Sequence, residues 1–144
     1  MRIRIVLDTN LLVSGLIVPH GLPHRLIAEW RQGTFRLLVT DAILAEYAAV
    51  PRRPRFAEKY GLTPAVVAAL LRRMRVQGER ILPMETVPVA VRDVKDIHLL
   101  AAALGGNADY LLTGDDDLLI LNGDPALGSL RIVTVRTYFD TRPE

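Results

Sequence analysis

The chain has 144 residues, half of them apolar, no cysteine, and a formal charge of +2. That length suits one domain, spanning 1–144, which can bury roughly two-thirds of the surface its unfolded form exposes without a disulfide or structural metal. No apolar run approaches the ~18 residues of a membrane span, and the absence of thiols leaves only oxygen or imidazole to hold a metal.

Met1-Arg2-Ile3-Arg4-Ile5-Val6-Leu7-Asp8 opens with basic and then apolar residues. Asp8 interrupts it too early for a signal-peptide core, so the segment reads as a strand and a cytoplasmic location is expected. Polar Asp8-Thr9-Asn10 ends that strand and starts a helix. A second helix is expected from Pro23 to Gln32, with Leu26, Ile27 and Trp30 on one face and Gly33 as its stop. Phe35–Val39 reads as a strand. Thr40 or Asp41 then caps a helix bearing Ile43, Leu44, Tyr47 and Val50, which Pro51 and Pro54 end; Glu46 lies in its middle. A short helix near 55–60 precedes Thr63-Pro64, an N-cap with proline at the first helical position, which opens a helix reaching about Gln77. A weak strand at 80–82 and a proline-spaced loop lead to Asp93-Val94-Lys95-Asp96, the start of a helix over 97–104 closed by Gly105-Gly106. Tyr110–Thr113 and Arg131–Val135 read as the last strands. Trp30 and Tyr47 are read as core, and His20, His24 and His98 as surface or capping residues, because their spacing is not that of metal ligands. Strands alternating with helices predict an α/β domain with a parallel sheet covered on both faces.

Charge is unevenly distributed. Residues 51–80 carry eight basic side chains against two acidic ones, a net of +6, whereas 81–144 carry five basic and ten acidic, a net of −5. Sixteen of the eighteen basic residues are arginine, whose planar fork suits bidentate contact with phosphate. Such a division fits a protein that grips a polyanion with one part and cations with another. A solvated helix face in an arginine-rich chain fits it equally.

In open α/β sheets ligands collect outside the carboxyl ends of the strands, where the strand order reverses. Asp8 follows the first expected strand directly, and Asp115 follows the Tyr110 strand after Thr113-Gly114. Asp96 begins a helix and Glu46 projects from another, so four carboxylates from four segments can converge there. Each aspartate also has a plainer reading as a helix cap or first-turn acid, worth about 1 kcal/mol. Two phosphotransfer readings fail on residue identity. A haloacid-dehalogenase-type enzyme needs an acid two residues after Asp8, where Asn10 stands, and a receiver domain needs a late lysine, whereas the only lysines are Lys59 and Lys95. No glycine-rich phosphate loop with lysine is present.

Ile5-Val6-Leu7-Asp8-Thr9-Asn10, Glu46 in the helix after the second strand, Asp96 before Leu99-Leu100-Ala101-Ala102-Ala103, and Leu111-Leu112-Thr113-Gly114-Asp115-Asp116-Asp117-Leu118-Leu119 together resemble the PIN-domain nucleases over nearly the whole chain. Within that superfamily, Leu12-Val13-Ser14-Gly15-Leu16 and Arg52-Arg53-Pro54-Arg55-Phe56 are similar to a subgroup described as toxin components of prokaryotic toxin–antitoxin pairs. The resemblance implies a three-layer α/β/α fold with about five parallel strands, one or two Mg²⁺ or Mn²⁺ ions, and hydrolytic cutting of RNA. It places the catalytic and metal carboxylates on Asp8, Glu46, Asp96 and Asp115, with Asp117 as a fifth and Thr9, Asn10 and Thr113 as polar supports. Where the subgroup often has a second acid directly after the third, this chain has Ile97, which leaves Asp96 with Asp93 as a weaker substitute. The subgroup's Thr-Pro-x-x-Phe near the C-terminus is replaced by Thr134-Val135-Arg136-Thr137-Tyr138-Phe139, with no catalytic consequence expected.

Oxygen-only ligands suit hard divalent cations. Arg52, Arg53, Arg55, Arg72, Arg73 and Arg75 are the candidates for gripping the phosphodiester backbone. The toxin subgroup further implies a small antitoxin encoded nearby as partner, and apolar helices around Leu26 and Leu70 are candidates for a homodimer contact. An inactive PIN module that binds RNA or protein, and an RNA-processing or DNA-cutting nuclease outside any toxin–antitoxin pair, are the alternatives.

Overall fold

The computed structural model describes residues 2–49 and 63–143. Val50, the expected helix near 55–60, and Arg52, Arg53 and Arg55 lie outside the described residues. Five strands, β1 (Arg4–Leu7), β2 (Arg36–Val39), β3 (Glu79–Arg80), β4 (Tyr110–Leu112) and β5 (Arg131–Val133), form one sheet in the order β3-β2-β1-β4-β5. Every pairing is parallel, with Ile5 beside both Leu37 and Tyr110 and Leu112 beside Val133. Among the described residues, α1 (Thr9–Ile17), α2 (Leu22–Arg31), α3 (Asp41–Ala49), α4 (Pro64–Gln77), α5 (Ile97–Gly105), α6 (Asp116–Leu119) and α7 (Val135–Thr141) complete the three-layer α/β/α architecture. The expected fold class is thus observed.

Ile5, Val6, Leu111 and Leu112 have no exposed surface, the burial that a central parallel strand undergoes when helices cover both its faces. Trp30 and Tyr47 are core residues, as their sequence setting suggested. Leu26 and Leu70 are buried as well. Both leucines pack into the chain's own core, so a contact between copies through these helices would have to use their other side chains.

Local chemistry sets the element boundaries. Thr63 Oγ accepts the Val66 amide at 3.2 Å and Pro64 supplies the first helical φ, so α4 starts where the Thr-Pro pair predicts. Of the two candidate caps for α3 it is Thr40 that accepts, from the Ile43 amide at 3.1 Å. The last strand ends at Val133, short of the expected Val135. Thr134 instead caps α7 by accepting the Thr137 amide at 3.1 Å, and a β-branched Thr-Val pair that reads as strand is overridden by capping.

The expected strand at 80–82 shifts to Glu79–Arg80: the Ile81 amide still donates to the Val39 carbonyl of β2 at 2.9 Å, and beyond it the chain leaves the sheet and runs along α5. The Met84 amide donates to the Ala101 carbonyl at 2.9 Å. The glycine pair closes α5 as expected, one residue later: Gly105 is its last residue and Gly106 its C-cap, and the left-handed residue that follows is Asn107, with φ 52°. A Cβ on Gly105 would lie 2.3 Å from the Leu82 carbonyl oxygen and 2.6 Å from the Met84 nitrogen, so only glycine lets this strap pack on the helix. Gly105→Ala is expected to lower unfolding free energy by ~1–3 kcal/mol in urea titrations, the usual cost of overpacking. Gly114→Ala, where an added Cβ meets nothing within 4 Å, should stay within ~0.5 kcal/mol.

Candidate metal centre

The strand order reverses between β1 and β4, and both deliver an aspartate at their carboxyl ends. Asp8 caps α1, its Oδ1 accepting the Asn10 amide at 3.1 Å. Asp115 caps α6, its Oδ1 accepting the Asp117 amide at 2.9 Å. Thr113, fully buried between them, joins the two: its hydroxyl donates to Asp8 Oδ2 at 2.8 Å and accepts the Asp115 amide at 3.0 Å. The capping reading and the convergent reading therefore hold together for Asp8 and Asp115. Each cap hydrogen bond occupies one lone pair of a carboxylate that has about four, leaving the rest to face the crevice.

Asp96 behaves differently. It ends a 3₁₀ turn, Val94–Asp96, makes no capping bond for α5, and is 7% exposed. The cap there is Asp93, whose Oδ1 accepts the Lys95 amide at 3.0 Å. Asp96 Oδ2 is buried without a hydrogen-bond partner among the described residues. Burial, then a hydrogen bond and charge from Asp115, then the charges of Asp93 and Asp8, push the Asp96 carboxyl up to about 7. One carboxylate oxygen each from Asp93, Asp96 and Asp117 lie within 4.8 Å of one another. Asp93 from the preceding turn and Asp117 from α6 thus stand beside Asp96, where Ile97 offers no acid. Asp117 also lies 3.8 Å from the exposed Arg92 guanidinium.

Glu46 reaches the site from mid-α3. One of its carboxylate oxygens, Oε2, accepts the Thr9 hydroxyl, and the other, Oε1, lies 3.0 Å from His98 Nε2. Thr9 is therefore a side-chain support, whereas Asn10 contributes its backbone amide to Asp8 and its side chain is exposed. His98 is the residue the sequence missed. Expected at the surface or in a cap, it is half-buried and holds Glu46. The pair is separated by 52 positions, so local spacing carries no sign of it; the one available signal was its place two residues after Asp96. His24 remains exposed, with Nδ1 3.2 Å from the Gly15 carbonyl. Beneath the acids, the Tyr47 hydroxyl has no partner among the described residues. Burial, then the charges of Asp8 and Glu46, raise its pKa well above the ordinary phenol value.

The donors are all carboxylates, they repel one another, and one buried oxygen lacks a partner. That chemistry fits a hard divalent cation; the acids whose oxygens come together closely enough to share one, among the described residues, are Asp93, Asp96 and Asp117, while Asp8 and Asp115 lie near enough for their charges to act on Asp96. The arginines stand apart. Arg72 and Arg73 share a groove with Arg31 along α4, and Arg75 lies with Arg80 beside α3. All three of the α4 arginines are exposed, and among the described residues none pairs with an acid of the cluster.

The raised Asp96 pKa fixes a direction for stability. Between pH ~3.8 and ~7 the folded chain holds a proton that the unfolded chain has released, so this group's contribution is full below the lower value and lost as pH rises through the upper one. In metal-free buffer Asp96→Asn should therefore gain melting temperature relative to the parent chain between pH 5 and pH 8. An unchanged difference across that range would show that Asp96 ionises freely.

No curated protein matches the chain. A family model, that of the PIN domain, matches residues 4–117 and so takes in Asp8, Glu46, Asp93, Asp96, Asp115 and Asp117. With the sheet order, the placement of the acids at its reversal and a match over most of its length, the chain belongs to the PIN-domain family.

Proposed function

We propose that residues 1–144 form a single nuclease domain that hydrolyses RNA phosphodiester bonds internally, using Mg²⁺ or Mn²⁺ at the acid cluster. The observation that carries this reading is Asp96, buried with an unpartnered oxygen among Asp115, Asp93 and Asp8. Burial and these neighbours make the charged form of Asp96 costly, and a bound cation would relieve that cost.

When bound, the cation supplies Lewis-acid stabilisation of phosphate charge and lowers the pKa of a water. The chain's part is to hold and orient. Thr113 ties Asp8 to the backbone before Asp115, so the two strand-end carboxylates keep a fixed separation. Asp96 completes the set from α5. Glu46, fixed at both oxygens by Thr9 and His98, orients the attacking water or its ligands. With water as nucleophile and the 3′-oxygen as leaving group, the products carry a 5′-phosphate and a 3′-hydroxyl.

Arg72, Arg73 and Arg75, together with Arg52, Arg53 and Arg55, grip the backbone through phosphates, which gives affinity without sequence reading. The similarity of residues 12–16 and 52–56 to the toxin subgroup supports a role as the toxin of a toxin–antitoxin pair acting in the cytoplasm. A small protein encoded beside it would then co-purify and suppress cutting. Failure of the neighbouring gene product to associate would favour an RNA-processing enzyme of the same chemistry.

Incubation of single-stranded and structured RNA with Mg²⁺ or Mn²⁺ should give 5′-phosphorylated fragments, abolished by chelator. Thr113→Val, which removes a support of Asp8, should cost ~10–100-fold in activity or metal affinity, and Asp8→Asn more. Cutting that persists equally in Asp8→Asn would identify a contaminant and refute the assignment. Replacing Arg72, Arg73 and Arg75 by glutamine should flatten the log-affinity against log-salt slope for single-stranded RNA by about two units, at ~0.7 per phosphate contact.

A further inference from the structure

Beside the acid cluster lies a cavity of about 530 Å³, between the start of α3, α5 and the strap that follows β3. Leu82, Met84 and Ala101 give it apolar walls, and His98 forms part of its lining. The same imidazole holds Glu46 through Nε2 at 3.0 Å, so the cavity and the Glu46 carboxylate share one side chain. Its size falls within the ~300–1,000 Å³ of small-ligand sites, which are mostly apolar with a few polar groups.

Ile81 of the strap packs against the core, but Leu82 and Met84 do not. Leu82 is 85% exposed and Met84 39%. The backbone carrying them is pinned by the bond from the Met84 amide to the Ala101 carbonyl and by its close approach to Gly105. Large apolar groups held in water on a fixed backbone, at the rim of a cavity, mark a binding surface. At the mouth, Arg80 pairs with Asp41, both side chains mostly exposed. An ion pair so placed is worth little in water, which leaves the guanidinium able to turn to a phosphate.

We infer that this cavity is a nucleobase subsite, taking one unstacked base of single-stranded RNA adjacent to the phosphodiester that is cut. The inference rests on the nuclease reading. Single-stranded RNA is recognised by splaying bases onto aromatic, imidazole and apolar surfaces. A base in this cavity packs against His98, Leu82 and Met84 while its phosphate meets Arg80. Occupancy places the neighbouring phosphate at the aspartates, so the subsite selects unpaired RNA over duplex. A docked protein segment is the less favoured occupant, because the cavity shares His98 with Glu46 and includes the basic side chain of Arg80 in its lining.

The test uses a short single-stranded RNA in which one abasic nucleotide is moved along the strand. Affinity is read by fluorescence anisotropy on Asp8→Asn chains and cleavage by steady-state kinetics on Asp8 chains, with and without the paired substitutions Leu82→Ala and Met84→Ala. Because both side chains are substantially exposed, the urea midpoint should not move, which separates lost binding from lost folding. The subsite predicts a roughly tenfold weaker Kd and higher KM in the double variant, with kcat unchanged. One abasic position should reproduce that loss in the parent chain and add nothing in the double variant. Kinetics and affinity identical in parent and variant, or no sensitive abasic position, would overturn the subsite and leave the nuclease reading standing. Absence of RNA binding and cutting by the parent chain would overturn both. Unaltered RNA behaviour with loss of binding to the neighbouring gene's product would reassign the cavity to a protein partner and overturn the base subsite.

Discussion

Mutual repulsion among carboxylates gathered at one end of the sheet is the constraint on which the rest of this structure turns. A parallel sheet whose order reverses between β1 and β4 leaves an opening at the carboxyl ends of those strands, and Asp8 and Asp115 lie on its two sides. Asp96 enters from α5 with one oxygen unpaired and its carboxyl held up to about 7 by burial and by Asp115, Asp93 and Asp8. The folded chain stores this unfavourable arrangement because the surrounding core is extensive: the strands that carry the acids are buried on both faces, so the cluster cannot relax by moving its backbone.

Two features limit the cost of that arrangement. Asp8 and Asp115 each receive a backbone amide from the helix they cap, and the Thr113 hydroxyl bridges them. The same hydrogen bonds that start α1 and α6 therefore fix these carboxylates in place, so a capping role does not exclude a role at the site. Glu46 is stabilised by a different route, through Thr9 and His98. The cluster thus has a capped side anchored to strand ends and a side held by helix-borne partners. The cavity beside His98 adjoins the second.

Asp8 and Asp115 were legible in the sequence because each follows a short apolar run directly, and strand ends are where ligands meet such sheets. The α4 boundaries were legible from Thr63-Pro64 and Gln77-Gly78. What escaped was either long-range or a contest between local signals. His98 acts on a residue in another helix, so no spacing within its own segment reveals it. Asp93 was weighed as a stand-in for Asp96, yet it works alongside it, capping the 3₁₀ turn and lying with Asp96 and Asp117. Thr134-Val135 has strand propensity, and only the hydroxyl-to-amide bond at Thr137 turns it into a helix start. The strap leaves the sheet after Ile81 and packs on α5 where Gly105 makes room for it, a role that a glycine near a helix end does not announce.

The central claim is that the aspartate cluster is a divalent-cation site organised around Asp96. Calorimetric titration of the metal-stripped chain with Mn²⁺ at neutral pH tests it most directly, in the parent and in Asp96→Asn. The account predicts saturable binding in the parent that weakens at least tenfold in the variant, consistent with loss of a ligand whose free oxygen has no protein partner. Binding of equal strength in both chains, or none in the parent, would contradict it.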